Sequence, residues 1–267
     1  MMQKNRLGET GLQVSRLGLG TVKFGRNQGV KYPTEFQLPD DRQILELLSS
    51  AQALGINLLD TAPAYGLSEE RLGKLLQGER AEWIISTKAG EDFVEGASHF
   101  DFSPAAIQKS VERSLKRLKT DYLDIVLIHS DGFDEKNIQE HAVAETLNHL
   151  KQAGKIRATG MSTKTVVGGL LAVDCFDVVM VTYNPLQVEE QPVIKYAYEK
   201  MKGVFIKKAL ASGHMDSISH EDPVKTAMEF VFKEPGVSSV IVGTLSPVHL
   251  RHDADCVMNI ECQGEKK

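Results

Sequence analysis

Four side chains able to hold or move a proton stand where apolar runs end. Asp60 closes "INLLD", Tyr65 follows it by five residues, Lys88 ends "EWIISTK", and His129 ends "YLDIVLIH". Taken singly, each has a plainer reading. The aspartate caps a helix or turn, the histidine is a hydrogen-bonded core residue, the lysine points to solvent, and the tyrosine packs. Taken together they suit proton transfer. A buried lysine needs a carboxylate or it loses its proton, and Asp60 lies one apolar run away. A phenol beside an ammonium ionises below its usual value of about 10, which makes Tyr65 a proton donor near neutrality. His129 can hydrogen-bond the same substrate oxygen. The set fits protonation of a carbonyl oxygen. It has no nucleophile with an adjacent base and no cluster of metal ligands.

Such a set works only if one scaffold brings these run ends to one face. Short apolar runs alternate with longer amphipathic ones along the whole chain, from "SRLGLGT" and "DDRQILELLSSAQALG" to "VSSVIVG" and "SPVHLRHDADCVM", giving eight strand–helix pairs. Continuous apolar strands are buried on both faces, as in parallel sheets. Eight such units in about 250 residues predict an α/β fold of the (β/α)₈ TIM-barrel type. An open doubly wound sheet is the competing arrangement. It is weakened by the lack of a G-x-G-x-x-G turn between a strand and its helix. Helix starts are predicted at Ser68, at Ser103 with Pro104, and at Asp222 with Pro223. "NIQEHAVAETLNHLKQAG" reads as one helix, and "TKTVVGGLLAV" as a weaker one loosened by Gly168 and Gly169. "RLGETGLQVSRLG" predicts an N-terminal β-hairpin that could cap the barrel bottom. No second domain, linker or repeat is evident, so residues 1–267 read as a single barrel domain. In a barrel, chemistry sits at the C-terminal ends of the strands, where these four residues stand.

Composition narrows the function further. The chain has 267 residues with a net charge of −5, 42% hydrophobic and 25% charged. Nothing in that balance suggests a nucleic-acid or anionic-membrane partner. The polar N-terminus does not resemble a signal peptide, no apolar run approaches a membrane span, and Cys175, Cys256 and Cys262 read as free thiols. The expectation is a cytoplasmic protein, a monomer or small homo-oligomer, acting on a small molecule.

"LLDTAPAYG", "ISTKAG" and "VLIHS" resemble the catalytic segments of the aldo-keto reductases. The resemblance continues through "RLGETGLQVSRLGLGTVKFG", "KIRATGMS" and "GVSSVIVGTLSPVHL", and so covers nearly the whole chain. It implies carbonyl reduction by hydride from NADP(H), with NAD(H) as the alternative. Tyr65 would be the general acid, Lys88 would depress its pKa, Asp60 would hold Lys88, and His129 would orient the substrate oxygen. No metal would be needed. For the cofactor, the resemblance assigns Gly20 and Thr21 at the first strand, Ser162 and Thr163 after the fifth, and Met180 on the sixth. It adds Lys207, Lys208 and Leu210 from the seventh, then Gly243, Thr244, Ser246, His249, Arg251, His252 and Asp253 from the last strand and helix.

Several of these positions depart from the family pattern. The usual carboxamide-binding Ser-Asn pair is Ser162–Thr163, the usual Gln is Met180, and the usual stacking aromatic is Lys207. The arginine that often takes a 2′-phosphate is His249, and three common pocket tryptophans fall on Val22, Gly90 and Ser130. Phe24, Phe93 or Phe133 could supply an aromatic wall instead. The segment after the seventh strand is short, and little chain follows the last helix, which implies an open substrate pocket. Two functions compete on this footing, an active carbonyl reductase and a cofactor-binding sensor with little activity.

Overall fold

The computed structural model describes residues 1–30, 32–33, 35–214 and 221–264, with side chains through residue 260. A hairpin of β1 (Lys4–Arg6) and β2 (Gln13–Ser15) comes first. Eight parallel strands then close a barrel: β3 (Leu17–Gly20), β4 (Leu58–Asp60), β5 (Ile84–Ala89), β8 (Leu123–His129), β9 (Ile156–Ser162), β10 (Val178–Thr182), β11 (Gly203–Lys207) and β12 (Ser239–Val242). They follow one another in chain order round the ring, and β12 pairs back onto β3. The barrel and the hairpin are as the sequence pattern predicts.

Residue parity decides which side chains reach the interior. Along a strand, alternate residues face opposite sides. Leu58, Ile125, Leu127, Ala158, Val178, Met180 and Phe205 fill the barrel and pack with Leu7, Leu12 and Val14 of the hairpin. The hairpin therefore plugs the bottom. Their strand neighbours Leu59, Val126, Ile128, Val179, Val204 and Ile206 face outward into the larger core beneath the helices. Continuing the inward parity upward places Asp60, Lys88, His129, Ser162, Thr182 and Lys207 at the top of the interior. A one-residue slip of any strand would bury these polar groups under a helix instead.

The helices are α1 (Val22–Gly25), α2 (Asp41–Ala53), α3 (Ser68–Leu75), α4 (Pro104–Leu118), α5 (Asp134–Glu140), α6 (Val143–Gln152), α7 (Val166–Cys175), α8 (Gln191–Glu199), α9 (Pro223–Val231) and α10 (Pro247–Gly264). Ser103 and Asp222 cap their helices as predicted, accepting from Ala106 N and Lys225 N. Ser68 does not. It is the first residue of α3, and its hydroxyl bonds Thr21 Oγ1 at 2.7 Å and Thr61 Oγ1 at 3.0 Å, tying three loop-side segments together. The single helix expected over 137–154 is two, α5 and α6, broken where Ala142 takes φ 50°. The helical turn α1 follows β3 directly, which the sequence reading did not foresee. Gly168 proves to be a packing residue: a Cβ there would come within 2.0 Å of Asp134 Cβ.

A second hairpin was not foreseen. β6 (Glu91–Val94) and β7 (Ala97–Phe100) rise from the end of β5, joined by Glu95 and Gly96, both at positive φ. Such two-residue loops match the twist of the flanking strands. No helix among the described residues is long and apolar enough to cross a membrane.

Candidate active site

Asp60 and Lys88 face each other from adjacent strands. Lys88 Nζ donates to Asp60 Oδ1 at 2.8 Å, Asp60 Oδ2 at 2.7 Å and Thr61 O at 2.9 Å. The lysine is only 2% exposed, so an unpaired ammonium could not persist there. Burial pulls its pKa down, but Asp60 and Tyr65 outweigh burial and hold it above its ordinary value.

Tyr65 ends a single 3₁₀ turn, Pro63–Tyr65, just past β4. Its ring centroid lies 4.8 Å from Lys88 Nζ and 6.3 Å from the His129 ring, edge to face. The phenol departs from the sequence expectation in one respect. Burial raises its pKa, Lys88 pulls it down, Asp60 raises it again, and the balance is upward. Tyr65 is thus fully protonated at neutral pH, which suits a donor. Its position depends on Gly66, at φ 60° and ψ −120°, whose Cβ would lie 2.2 Å from Gly25 O. We predict that Gly66→Ala lowers stability by at least ~1–3 kcal/mol from backbone strain alone and displaces Tyr65. Thermal unfolding and turnover measured together would check it. Unchanged values of both would contradict the placement.

His129 carries a partner that sequence reading missed. Its Nδ1 lies 2.6 Å from Glu91 Oε2, with the N–H line off axis. Burial raises the Glu91 pKa, but His129, Ser98 and Arg26 overcome this and bring it to about 2. Burial lowers the His129 pKa, Glu91 raises it, Lys88 and Lys207 lower it, and the net direction is down. A neutral imidazole against an ionised carboxylate keeps its proton on Nδ1, leaving Nε2 as an acceptor. The signal for Glu91 was the Glu-Gly loop between two four-residue runs.

These groups open into one groove of about 1290 Å³ that runs across the mouth to the start of α10. Of the residues assigned to the cofactor, Gly20, Ser162, Met180, Lys207, Lys208, Leu210, Gly243, Thr244, His249, His252 and Asp253 line it. Four do not. The Thr21 hydroxyl is buried against Asp60 O and Ser68 Oγ. Thr163 turns its hydroxyl back to Glu190 Oε1. Ser246 Oγ accepts from His249 N within the first turn of α10. Arg251 is exposed on another face of that helix, since residues 249, 252 and 253 share the groove side by helical spacing. The aromatic wall also differs. Phe24 is core, Phe133 is exposed, Phe93 lies under the Arg26 guanidinium, and Phe100 lines the groove instead.

Lys207 has the least expected surroundings. From β11 it reaches past β10 to β9, where Nζ donates to Ser162 Oγ at 2.9 Å and Thr163 O at 2.5 Å. Burial lowers its pKa to about 8, opposed by buried Glu190. It therefore remains charged at pH 7. At the far end, Asp253 is buried, and burial pushes its carboxyl up to about 7. His252 instead pairs with Asp222 at 3.2 Å. Asp222, His252 and Cys256 also bring O, N and S atoms within 4.8 Å of one another, a grouping absent from the sequence reading.

A dinucleotide fits this groove on two structural grounds. The groove is long enough to join strand ends to a helix N-terminus, where backbone N–H groups favour phosphate. Gly243 leaves room on the groove wall, where a Cβ would lie 3.0 Å from the Tyr32 hydroxyl.

Comparison with known proteins agrees with this architecture. A solved Pseudomonas aeruginosa structure named for the aldo-keto reductases is 52% identical, with a TM-score of 0.87, over 95% of this chain and 94% of that one. The oxidoreductase YqkF of Bacillus subtilis is 30% identical over 94% of this chain and 90% of its own. The NADH-specific methylglyoxal reductase of Escherichia coli is 35% identical over 60% of this chain and 51% of its own. Residues 16–223 match the aldo/keto reductase family, and the chain belongs to it.

Proposed function

We propose that the chain reduces an aldehyde or ketone to an alcohol, with NADP(H) as hydride source and NAD(H) as the alternative. The observation that carries this reading is the buried Lys88–Asp60 pair beside a protonated Tyr65 at the mouth of the groove. A nicotinamide supplies hydride when bound. Tyr65 donates its phenolic proton to the substrate oxygen, and Lys88 stabilises the phenolate left behind. Asp60 keeps Lys88 charged and aimed. His129 accepts from a substrate hydroxyl when neutral and donates to a carbonyl oxygen only when protonated, so Glu91 governs its role. The Phe100 side and the open mouth suit a small, loosely held carbonyl. A nicotinamide fluorescence titration followed by an aldehyde panel tests the reading. Binding without turnover of any aldehyde, ketone or alcohol would favour the sensor function instead.

Cofactor choice rests on the far end. His249 offers a 2′-phosphate a hydrogen bond, but a guanidinium would offer a charge-assisted fork. Asp253, on the same face, repels a phosphate when ionised. Its carboxyl loses charge as pH falls through about 7. The preference for NADPH over NADH should therefore rise from pH 8 to pH 6, and Asp253→Asn should remove most of that rise. Dissociation constants for both cofactors at both pH values check it. Tighter NADH binding at both would overturn the NADP(H) assignment, in line with the NADH-specific relative.

A further inference from the structure

We propose that Lys207 makes the groove select the redox state of its nicotinamide, favouring the neutral reduced ring over the cationic oxidised one. This rests on the nicotinamide reading above. The placement follows from the barrel. The ring order is β3-β4-β5-β8-β9-β10-β11-β12, so β5 and β11 are four steps apart in an eight-strand barrel. Lys88 and Lys207, at the tops of those two strands, face each other across the mouth. A ring that passes hydride to a substrate held by Tyr65 and His129 must lie on the interior side of those residues. Gly20, Ser162, Met180 and Lys207 line that side.

The charges there do not cancel symmetrically. Lys88 is neutralised by Asp60 at 2.7 Å. Glu91 is balanced by Arg26, with the neutral His129 ring beside it. Lys207 is held by neutral acceptors, Ser162 Oγ and Thr163 O, which use two of its three donors. Its nearest compensating acid, Glu190, has its oxygens engaged by Thr182 N at 2.7 Å and Thr163 Oγ1 at 3.2 Å. Burial raises the Glu190 pKa and Lys207 lowers it, and the net direction is up. Lys208, Lys164 and Asp134 act on Lys207 as more distant charges. The ammonium is also pinned, so it cannot swing away from a cation as a solvent-exposed lysine would.

The two cofactor forms differ by one positive charge, on the ring itself. A fixed ammonium lining the space such a ring would occupy disfavours the oxidised form, on the order of tenfold or more in affinity at an effective dielectric between protein surface and water. The consequence has a sign. The reduced cofactor is retained and the oxidised product leaves readily, while the bound couple becomes a weaker hydride donor than the free one.

The test is equilibrium binding at pH 7, with no turnover required. Reduced cofactor is followed by its fluorescence and oxidised cofactor by competition against it, in the wild type, Lys207→Met and Lys207→Arg. Methionine keeps the stem and removes the charge. The expected result is an oxidised-to-reduced Kd ratio that falls on the order of tenfold in Lys207→Met, through tighter oxidised binding, and is kept in Lys207→Arg. A methionine variant that weakens both forms equally, or leaves the ratio unchanged, overturns the proposal. If neither NADPH nor NADH binds the wild type, the nicotinamide reading fails and this proposal falls with it.

Discussion

Replacement of Tyr65 by phenylalanine should lower carbonyl reduction by roughly 10²–10⁴, the usual contribution of one positioned acid. Cofactor affinity should stay within a few-fold. The ring sits edge to face on His129 with Lys88 Nζ 4.8 Å from its centroid, and phenylalanine keeps both contacts. Only the hydroxyl is lost. Of its two polar neighbours, Lys88 spends its donors on Asp60 and Thr61, and His129 faces Glu91. Turnover followed at the reduced cofactor's absorbance band, beside a fluorescence Kd, separates chemistry from binding. A variant with near wild-type turnover would remove Tyr65 from the mechanism.

Lys88→Met should be nearly as damaging, with a different signature. It takes away the charge that opposes burial at Tyr65, so the phenol pKa should climb further. In the oxidation direction the phenol must give up its proton first, so alcohol oxidation should fall more than carbonyl reduction and its pH optimum should move to higher pH. The change also strands Asp60, 4% exposed, without its partner. Breaking a buried pair in this way typically costs about 3–5 kcal/mol of stability. The double variant Asp60→Asn, Lys88→Met should recover part of that loss without recovering activity. Rate–pH profiles in both directions, with thermal unfolding, distinguish the two effects. An unchanged profile would make Lys88 purely structural.

The sequence carried the barrel because period-two parity and apolar runs are local signals. "LIH" and "LLD" already state that an inward polar residue follows inward apolar ones. The polar network behind them was less legible. Glu91 sits in "EDFVEGASHF", where alternation is weak and most residues of the hairpin are exposed, so no core pattern marks it. Ser68 shows the opposite failure. Its type and place fit an N-cap, but tertiary contacts with Thr21 and Thr61 won. At α10, helical spacing could have excluded Arg251 from the groove face shared by 249, 252 and 253. The direction of the Tyr65 pKa was beyond sequence, since it depends on how burial weighs against one ammonium.

The central claim is that this groove transfers hydride to a carbonyl carbon. Its most direct test uses NADPH and NADH deuterated at the transferable C4 position with a panel of small aldehydes, 4-nitrobenzaldehyde and methylglyoxal among them, and mass analysis of the products. The account predicts an alcohol carrying one deuterium on the former carbonyl carbon, formed by the wild type and strongly reduced in Tyr65→Phe. Cofactor that binds by fluorescence but delivers no deuterium to any carbonyl, and takes none from the deuterated alcohols in reverse, would contradict it.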